Sequence, residues 1–175
     1  MIEKNMIRLT GKSTLRAFER GAIRYWMDKG LKLPEAIQEA TRRGLCVHEQ
    51  TVDNLVVTTG KQLMAELLTG EEGTGVAYHE IGTGTTTPAL TDVALTTSAV
   101  RKAITQAARS GNQVQVSTFY LASECTMEIK EAGVFGGDAA GASAGSGKML
   151  CHYLQSYDNS AGTYDLTFEY TLTIS

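Results

Sequence analysis

The chain has 175 residues and a mass of 18.8 kDa, with 42% hydrophobic and 20% charged residues. This length and composition are typical of one ordinary globular domain with some additional chain, and they exclude a two-enzyme architecture, a disordered chain and a collagen-like chain. No run approaches the roughly 18 apolar residues of a membrane-spanning helix, and residues 1–13 lack the apolar core of a signal peptide. We therefore expect no membrane partner and no secretion by the usual route.

The formal net charge of −3 is distributed unevenly along the chain. Residues 1–45 contain ten basic and five acidic side chains, a balance of +5, so the remainder carries −8. Such asymmetry predicts either two parts with different partners or one part that docks on the other part of a neighbouring copy.

The first predicted element is a helix that begins near Ser13 or Thr14, because either hydroxyl can cap a helix N-terminus. Apolar residues then recur at helical spacing: Leu15, Phe18, Ala22 and Trp26. A second helix is predicted from Pro34, which suits a first helical turn, to the stop at Gly44. Residues 1–44 are therefore predicted to form a helical hairpin.

A third helix is predicted at 59–68, because Thr59 and Gln62 have capping-box spacing and an apolar stripe follows them. Beyond this helix the composition changes to threonine, glycine and β-branched residues, and the hydrophobic period changes from about 3.6 residues to about 2. This change indicates two parts: a basic helical anchor arm at residues 1–50, and an antiparallel β domain at residues 51–175 that opens with a helix.

The clearest predicted strand is the last one, because apolar and polar residues alternate strictly over 164–175. Weaker alternations, separated by turn residues, occur at 76–81, 100–105, 114–120, 125–130 and 149–155. Several short strands without an intervening helical pattern favour an antiparallel sandwich or barrel. The predicted fold class is thus α+β, with an N-terminal helical hairpin plus helix followed by an antiparallel β-sandwich or barrel.

A glycine-, alanine- and serine-rich stretch at 136–147 is predicted to be a mobile loop. Its end superficially resembles the phosphate-binding pattern GxxxxGK[ST]. However, Ala142 stands at the first glycine position, Met149 stands at the hydroxyl position, and strand-like sequence follows, so no helix N-terminus faces a phosphate. No cofactor is therefore predicted.

Two adjacent or near-adjacent pairs, Cys46 with His48 and Cys151 with His152, contain residue types that bind zinc. Neighbouring residues on a strand point to opposite faces, and the Cys-x-His spacing is not usual for zinc, so we predict buried, reduced cysteines and no metal site. Nothing in the sequence brings a histidine to a nucleophile and an orienting acid. We therefore predict no catalytic residues and a protein that is not an enzyme.

A basic stripe is the most informative local feature. Arg16, Arg20 and Arg24 are spaced four residues apart, so on a helix they would form one ridge beside apolar residues. Two interpretations are open, a solvated face or a contact with an acidic protein or nucleic acid. The residues predicted to form a protein-interaction surface are Arg16, Arg20, Arg24, Phe18, Trp26 and Met27.

DNA binding by the helical hairpin is the less favoured interpretation of this stripe. The second predicted helix carries Arg42 and Arg43 at its C-terminal end, whereas recognition helices generally contact bases from their N-terminal part. Nucleic acid therefore remains a secondary partner class.

Three pieces of the sequence occur in a distinctive order: IGTGTTTPALTDVAL at 81–95, EAGVF at 131–135, and the alternating terminal strand. This string, which spans about residues 54–175, resembles a domain of virion structural proteins of tailed bacteriophages that are often described as tail-fibre, collar or baseplate-associated. The resemblance implies a non-enzymatic structural subunit, made in the host bacterial cytoplasm and located in the virion.

The resemblance also implies partners, namely other copies of the chain and other virion proteins. The N-terminal arm would dock on the particle, and the β domain would form or contact the tail, collar, neck or fibre assembly. A capsid decoration protein is the closest alternative, and a nucleic-acid-binding module built on the helical hairpin is a further one.

Overall fold

A computed structural model describes residues 7–175 of the chain. Within these residues the strands are β1 (Leu9–Glu19), β2 (Cys46–Val56), β3 (Val76–Gly82), β4 (Ser98–Ala103), β5 (Gln106–Ser110), β6 (Gln113–Tyr120), β7 (Glu128–Gly136), β8 (Lys148–Asp158) and β9 (Tyr164–Ile174). The helices are α1 (Ala22–Asp28), α2 (Leu33–Arg42) and α3 (Thr58–Thr69), and a 3₁₀ turn lies at Ala122–Glu124. None of these helices combines the length and hydrophobicity needed to cross a membrane.

The strands form one antiparallel sheet in the order β4-β3-β7-β8-β2-β1-β9-β6-β5, curled into a half-barrel. β2 joins the two halves, because it pairs with β1 along its length while Leu55 and Val56 at its end pair with β8. β4 and β5 are the two edges of the sheet, yet only Ile104 and Thr105 separate them in the chain. The two edges therefore meet at this corner, and the curl encloses the core.

The predicted fold class, a helical hairpin plus helix followed by a sandwich or barrel, is wrong. Residues 9–19 form β1, which is hydrogen-bonded to β2 on one side and to β9 on the other. Only residues 22–42 form a pair of short helices. The predicted boundary at residue 50 falls within β2, and β1 and β2 lie in the middle of the sheet.

The later part of the chain agrees better with the prediction. The helix predicted at 59–68 is α3, and the alternating pattern at 164–175 is β9. The strand predicted at 125–130 is displaced, because β7 begins at Glu128 and runs on to Gly136. β7 continues because its residues from Glu131 onward pair with both β3 and β8.

The core inside the curl contains a buried histidine. The two ring nitrogens of His79 lie 2.9 Å from the hydroxyl of Tyr120 and 2.7 Å from the hydroxyl of Tyr153. Its ring packs on Phe168 at a centroid distance of 4.5 Å. Burial lowers the pKa of His79 from its ordinary value of 6.5 to about 3, so the imidazole is neutral at neutral pH.

This buried histidine makes stability depend on pH. Below pH 6.5 the unfolded chain protonates His79 while the folded chain does not, until the pH approaches 3. Proton uptake therefore favours unfolding by up to about 1.4 kcal/mol per pH unit in this window. Urea denaturation at a series of pH values measures this dependence. As the pH falls, the free energy of unfolding of the His79→Gln variant is expected to decrease less steeply than that of the parent chain. Parallel pH profiles for the two proteins would contradict this expectation.

The outer face of the sheet is covered differently on its two halves. On the β4-β3-β7-β8 half, residues of α3 and of the loops 83–97 and 137–147 contact the strands. On the β2-β1-β9-β6-β5 half, α1 and α2 cover one end, where they pack on Phe18 and Phe119. The other end of that half is lined by polar side chains and lies open.

Candidate interaction surface

The helices α1 and α2 form a cap on the outer face of the sheet. Their apolar sides are buried against the strands, and the buried residues of the two helices are Ile23, Leu33, Ala36, Ile37 and Ala40. This spacing leaves the other sides of the helices exposed. We call the following exposed residues the cap surface: Arg20, Arg24, Tyr25, Lys29 and Lys32.

A buried carboxylate positions the start of the cap. Asp165 accepts hydrogen bonds from the backbone N–H groups of Gly21, at 2.7 Å, and Ala122, at 2.8 Å. Gly21 has a φ of 82°, a left-handed conformation that favours glycine and turns the chain from β1 into α1. This turn places Arg20 and Arg24 around one pocket of about 290 Å³.

The arginines of this region differ in how they are neutralised. Arg16 is paired with Glu49 and Glu169 on neighbouring strands. Arg42 and Arg43 both bind Glu39, and these two guanidinium groups lower the pKa of Glu39 to about 2.

Arg20 and Arg24 form no salt bridge with any carboxylate within residues 7–175. Residues 20–32 contain four basic side chains and a single acidic one, Asp28. The cap surface therefore carries a net positive charge, and the buried carboxylate of Asp165 lines the same pocket as Arg20 and Arg24. Guanidinium groups in such a position bind carboxylates or phosphates through paired hydrogen bonds.

Aromatic side chains border these charges. Tyr25 is 53% exposed and makes an edge-to-face contact with Trp26, with ring centroids 4.9 Å apart. The Lys29 ammonium lies 5.6 Å from the Tyr25 ring, and the Arg43 guanidinium lies 4.6 Å from the Trp26 ring. Trp26 is half-buried against the apolar cluster beneath the cap, so Tyr25 is the aromatic ring that this surface offers to a partner.

The structure separates the six residues predicted for the interaction surface. The predicted helical ridge is wrong, because Arg16 lies on β1 and Arg20 lies in the turn before α1. Phe18 is fully buried beneath the cap. Trp26 and Met27 are half-buried against the same cluster.

Arg20 and Arg24 are the two predicted residues that the fold brings together on the surface. Tyr25, Lys29 and Lys32 were not among the residues predicted from the sequence. Their only signal in the sequence is that basic residues and a second aromatic ring flank Trp26 within a short segment.

A second polar cluster lies beneath the loop 83–97. The fully buried carboxylate of Glu131 accepts backbone N–H groups of Gly84 at 3.0 Å, Thr96 at 3.1 Å and Thr97 at 2.7 Å. The ring of His152 bridges the two acidic side chains, with Nε2 3.0 Å from Glu131 and Nδ1 2.6 Å from Asp92. We call Glu131, His152 and Asp92 the loop clasp, because they tie the loop to β7 and β8.

The loop clasp connects the two internal segments that carry the resemblance. Residues 81–95 and 131–135 are adjacent in space, since β3 pairs with β7 and Ile81 lies opposite Ala132. The first glutamate of EAGVF, Glu131, binds the backbone of the GTGTTT segment at Gly84. These two segments therefore form one structural unit.

A buried ion pair holds the other loop, 137–147. Arg101 pairs with Glu80 at 2.5 Å, and its guanidinium donates to the carbonyl oxygens of Gly141 at 2.8 Å and Ser146 at 2.5 Å. The guanidinium also lies over the ring of Phe135, 4.4 Å from its centroid. The stretch predicted to be mobile is thus attached to the sheet at two of its carbonyl groups.

The stretch that resembles a phosphate-binding loop leads into a strand, as the sequence predicted. β8 begins at Lys148, whose ammonium group binds Glu66 at 2.5 Å and Glu72 at 2.8 Å. These two carboxylates raise the pKa of Lys148. The lysine therefore takes part in contacts between α3 and the sheet.

The three cysteines are unpaired. Burial raises the pKa of Cys125 to about 11 and that of Cys151 to about 12, so both are protonated thiols at neutral pH. Cys151 lies in the core whereas the neighbouring His152 belongs to the loop clasp on the outer face. Within residues 7–175, no group of three or more His, Cys, Asp or Glu side chains is arranged to hold a metal ion.

Comparisons of the chain with protein-family models, with curated proteins and with solved structures find no match. We therefore base the proposed function on the geometry of the cap surface and on the resemblance carried by residues 81–95 and 131–135.

Proposed function

We propose that the chain is a non-enzymatic structural subunit of a tailed-phage particle, and that its cap surface docks on an acidic surface of a neighbouring virion protein. The observation that carries this proposal is the pair Arg20 and Arg24, which lie around one pocket and pair with no carboxylate of the described chain. Arginine and tyrosine are the residue types that most often dominate binding energy at protein interfaces. Tyr25, exposed beside Arg24, supplies such a ring.

The loop clasp supports the proposal that the segments carrying the resemblance have a structural role. The Glu131 carboxylate and the His152 imidazole are buried and occupied by protein hydrogen bonds. Their role is to hold the loop 83–97. Residues 81–95 and 131–135, which carry the resemblance to virion proteins, therefore form part of a packed structural scaffold. A scaffold of this kind needs no substrate.

The cap surface suits several positions in a particle. A subunit of the tail, collar, neck or baseplate and a capsid decoration protein each need an acidic neighbour and a rigid contact surface. An acidic surface of another copy of the chain meets the same requirement, because the residues after 45 carry a net charge of −8. Electrostatic attraction would guide the encounter, and the tyrosine ring would be buried in the contact.

Charge reversal at the two arginines tests the docking role. The double variant Arg20→Glu with Arg24→Glu is expected to be incorporated into particles at least roughly tenfold less than the parent chain, because like-charge contacts cost several kcal/mol. Tagged chains would be expressed in particle-producing cells, and the tag would be quantified in density-purified particles. Both side chains are exposed, so thermal unfolding of the double variant should match that of the parent chain.

The matched control is Arg109→Glu, which reverses an exposed arginine on β5, far along the chain from the cap. It is expected to be incorporated at the parent level. Equal incorporation of the double variant and the control would reject the role of the cap surface, and absence of the parent chain from particles would reject the virion proposal itself.

A gel-shift assay with duplex DNA separates the nucleic-acid alternative. Binding to phosphates weakens steeply as salt concentration rises. Three results together would favour nucleic acid as the partner of the cap surface. The parent chain would be absent from particles, it would bind DNA at low salt but not at physiological salt, and the double variant would not bind DNA.

A further inference from the structure

The open end of the outer face contains a polar trough of about 510 Å³, formed by side chains of β1, β2, β6 and β9. Five threonines, two glutamines and three charged side chains line it. It lies on the same half of the sheet as the cap but shares none of the cap surface residues. The proposed docking does not use this trough.

The strand register places the lining side chains in a grid. One row across four strands consists of Asp53, Lys12, Thr171 and Gln115. Threonine side chains lie in the rows on both sides of it. Neighbouring strands are about 4.8 Å apart and residues on one face repeat about every 6.6 Å, so hydroxyl and amide groups recur in two directions at fixed spacing.

The three charged side chains that line the trough carry a formal net charge of −1, and Arg16, which Glu49 and Glu169 share, lies beside them. Lys12 lies directly opposite Asp53 on the paired strand, and Glu169 is bound by Arg16. The residues that line the trough include no aromatic side chain and no aliphatic side chain. Its chemistry therefore favours neither an ionic ligand nor an apolar one.

We propose that this trough binds a neutral oligosaccharide. Hydroxyl and amide side chains both donate and accept hydrogen bonds, which matches a ligand with many hydroxyl groups. The volume falls within the roughly 300–1,000 Å³ of small-molecule sites. The lining residues lie on paired strands, so binding requires little ordering of the protein, which lowers the cost of association.

Titration followed by NMR tests this proposal with defined probes. The ¹⁵N-labelled full chain would be titrated with maltotriose, cellotriose and the trimer of N-acetylglucosamine at millimolar concentrations. At least one trisaccharide is expected to shift amide signals of β1, β6 and β9 in a saturable manner. The variant Thr171→Val with Gln115→Leu is expected to bind it roughly tenfold more weakly, because two side-chain hydrogen bonds are lost.

Thr163→Val provides a matched control. Thr163 is exposed just before β9, at the opposite end of that strand from the trough, so this variant should bind as the parent does. Valine is favoured in strands, and the unshifted amide signals of each variant report whether the fold is intact. No saturable shift with any of the three sugars would overturn the proposal. Equal affinity in the double variant, or preferential binding of inorganic sulfate, would overturn it as well.

Discussion

Replacement of Glu131 with alanine is expected to lower the free energy of unfolding by about 3–5 kcal/mol. The Glu131 side chain is fully buried and accepts hydrogen bonds from three backbone N–H groups. Alanine would leave these donors without a partner beneath the loop 83–97, and each unsatisfied buried group costs about 1–3 kcal/mol. Urea denaturation followed by circular dichroism at neutral pH measures the change.

Glu128→Ala is the matched control for this prediction. Glu128 lies on the same strand, but its carboxylate is about half exposed and, among residues 7–175, pairs only with the partly exposed Lys130. The control should therefore alter stability by less than about 0.5 kcal/mol. In addition, the amides of Thr96 and Thr97 should lose protection from hydrogen exchange in Glu131→Ala alone. Similar stability losses for the two variants would show that the loop clasp does not stabilise the fold.

Replacement of Arg101 with methionine is expected to destabilise the chain by a similar amount, about 3–5 kcal/mol. The side chains of Arg101 and Glu80 are 2% and 0% exposed, so the variant leaves a buried carboxylate without its cation. It also removes the donors to the carbonyl groups of Gly141 and Ser146. Denaturation gives the stability change, and hydrogen exchange should show faster opening of the loop 137–147.

A double substitution separates the ion pair from the packing of the side chain. Arg101→Met with Glu80→Leu removes both charges, and replacing both members of a buried pair costs much less than removing one. The double variant should therefore be more stable than Arg101→Met alone. Arg109→Met, at an exposed arginine of β5, should have little effect. If Arg101→Met is as stable as this control, the buried pair does not hold the loop.

The N-terminal segment shows why part of the fold could not be predicted from the sequence. Leu15, Phe18, Ala22 and Trp26 fit a helical period, but the buried residues of β1 alternate as in a strand. Two of these buried positions are Gly11 and Ser13, whose small or polar side chains conceal the alternation. The strand forms because β9, about 150 residues away in the chain, supplies its partner, and no local pattern reports such pairing.

Other elements were predictable because their patterns are local. The alternation over 164–175 is uninterrupted, and it became β9, one of the longest strands. The apolar stripe after Thr59 correctly located α3, but the predicted capping box is wrong, because Val57 is the N-cap residue and the Thr59 hydroxyl donates to the carbonyl of Met149 at 2.8 Å. Where one face of an element is buried along its whole length, sequence periodicity is sufficient to identify it.

The candidate surface was predictable only in part. Arg16, Arg20 and Arg24 were selected alike for their four-residue spacing, but in the fold Arg16 is neutralised by Glu49 and Glu169 whereas Arg20 and Arg24 form no salt bridge within residues 7–175. That difference depends on the pairing of three strands. For the polar trough the sequence indicated only the polar face of β9, because the lining residues come from four strands and share a face only once the register is known.

Chemical cross-linking of purified particles with an amine-reactive reagent, followed by mass spectrometry, would decide whether the cap surface contacts another virion protein. Lys29 and Lys32 are exposed on this surface, and the Lys29 ammonium lies 5.6 Å from the Tyr25 ring. We predict that they form cross-links to lysines beside an acidic segment of a neighbouring subunit. Particles in which the chain is present but these two lysines cross-link only within it, or particles that lack the chain, would contradict the proposed docking.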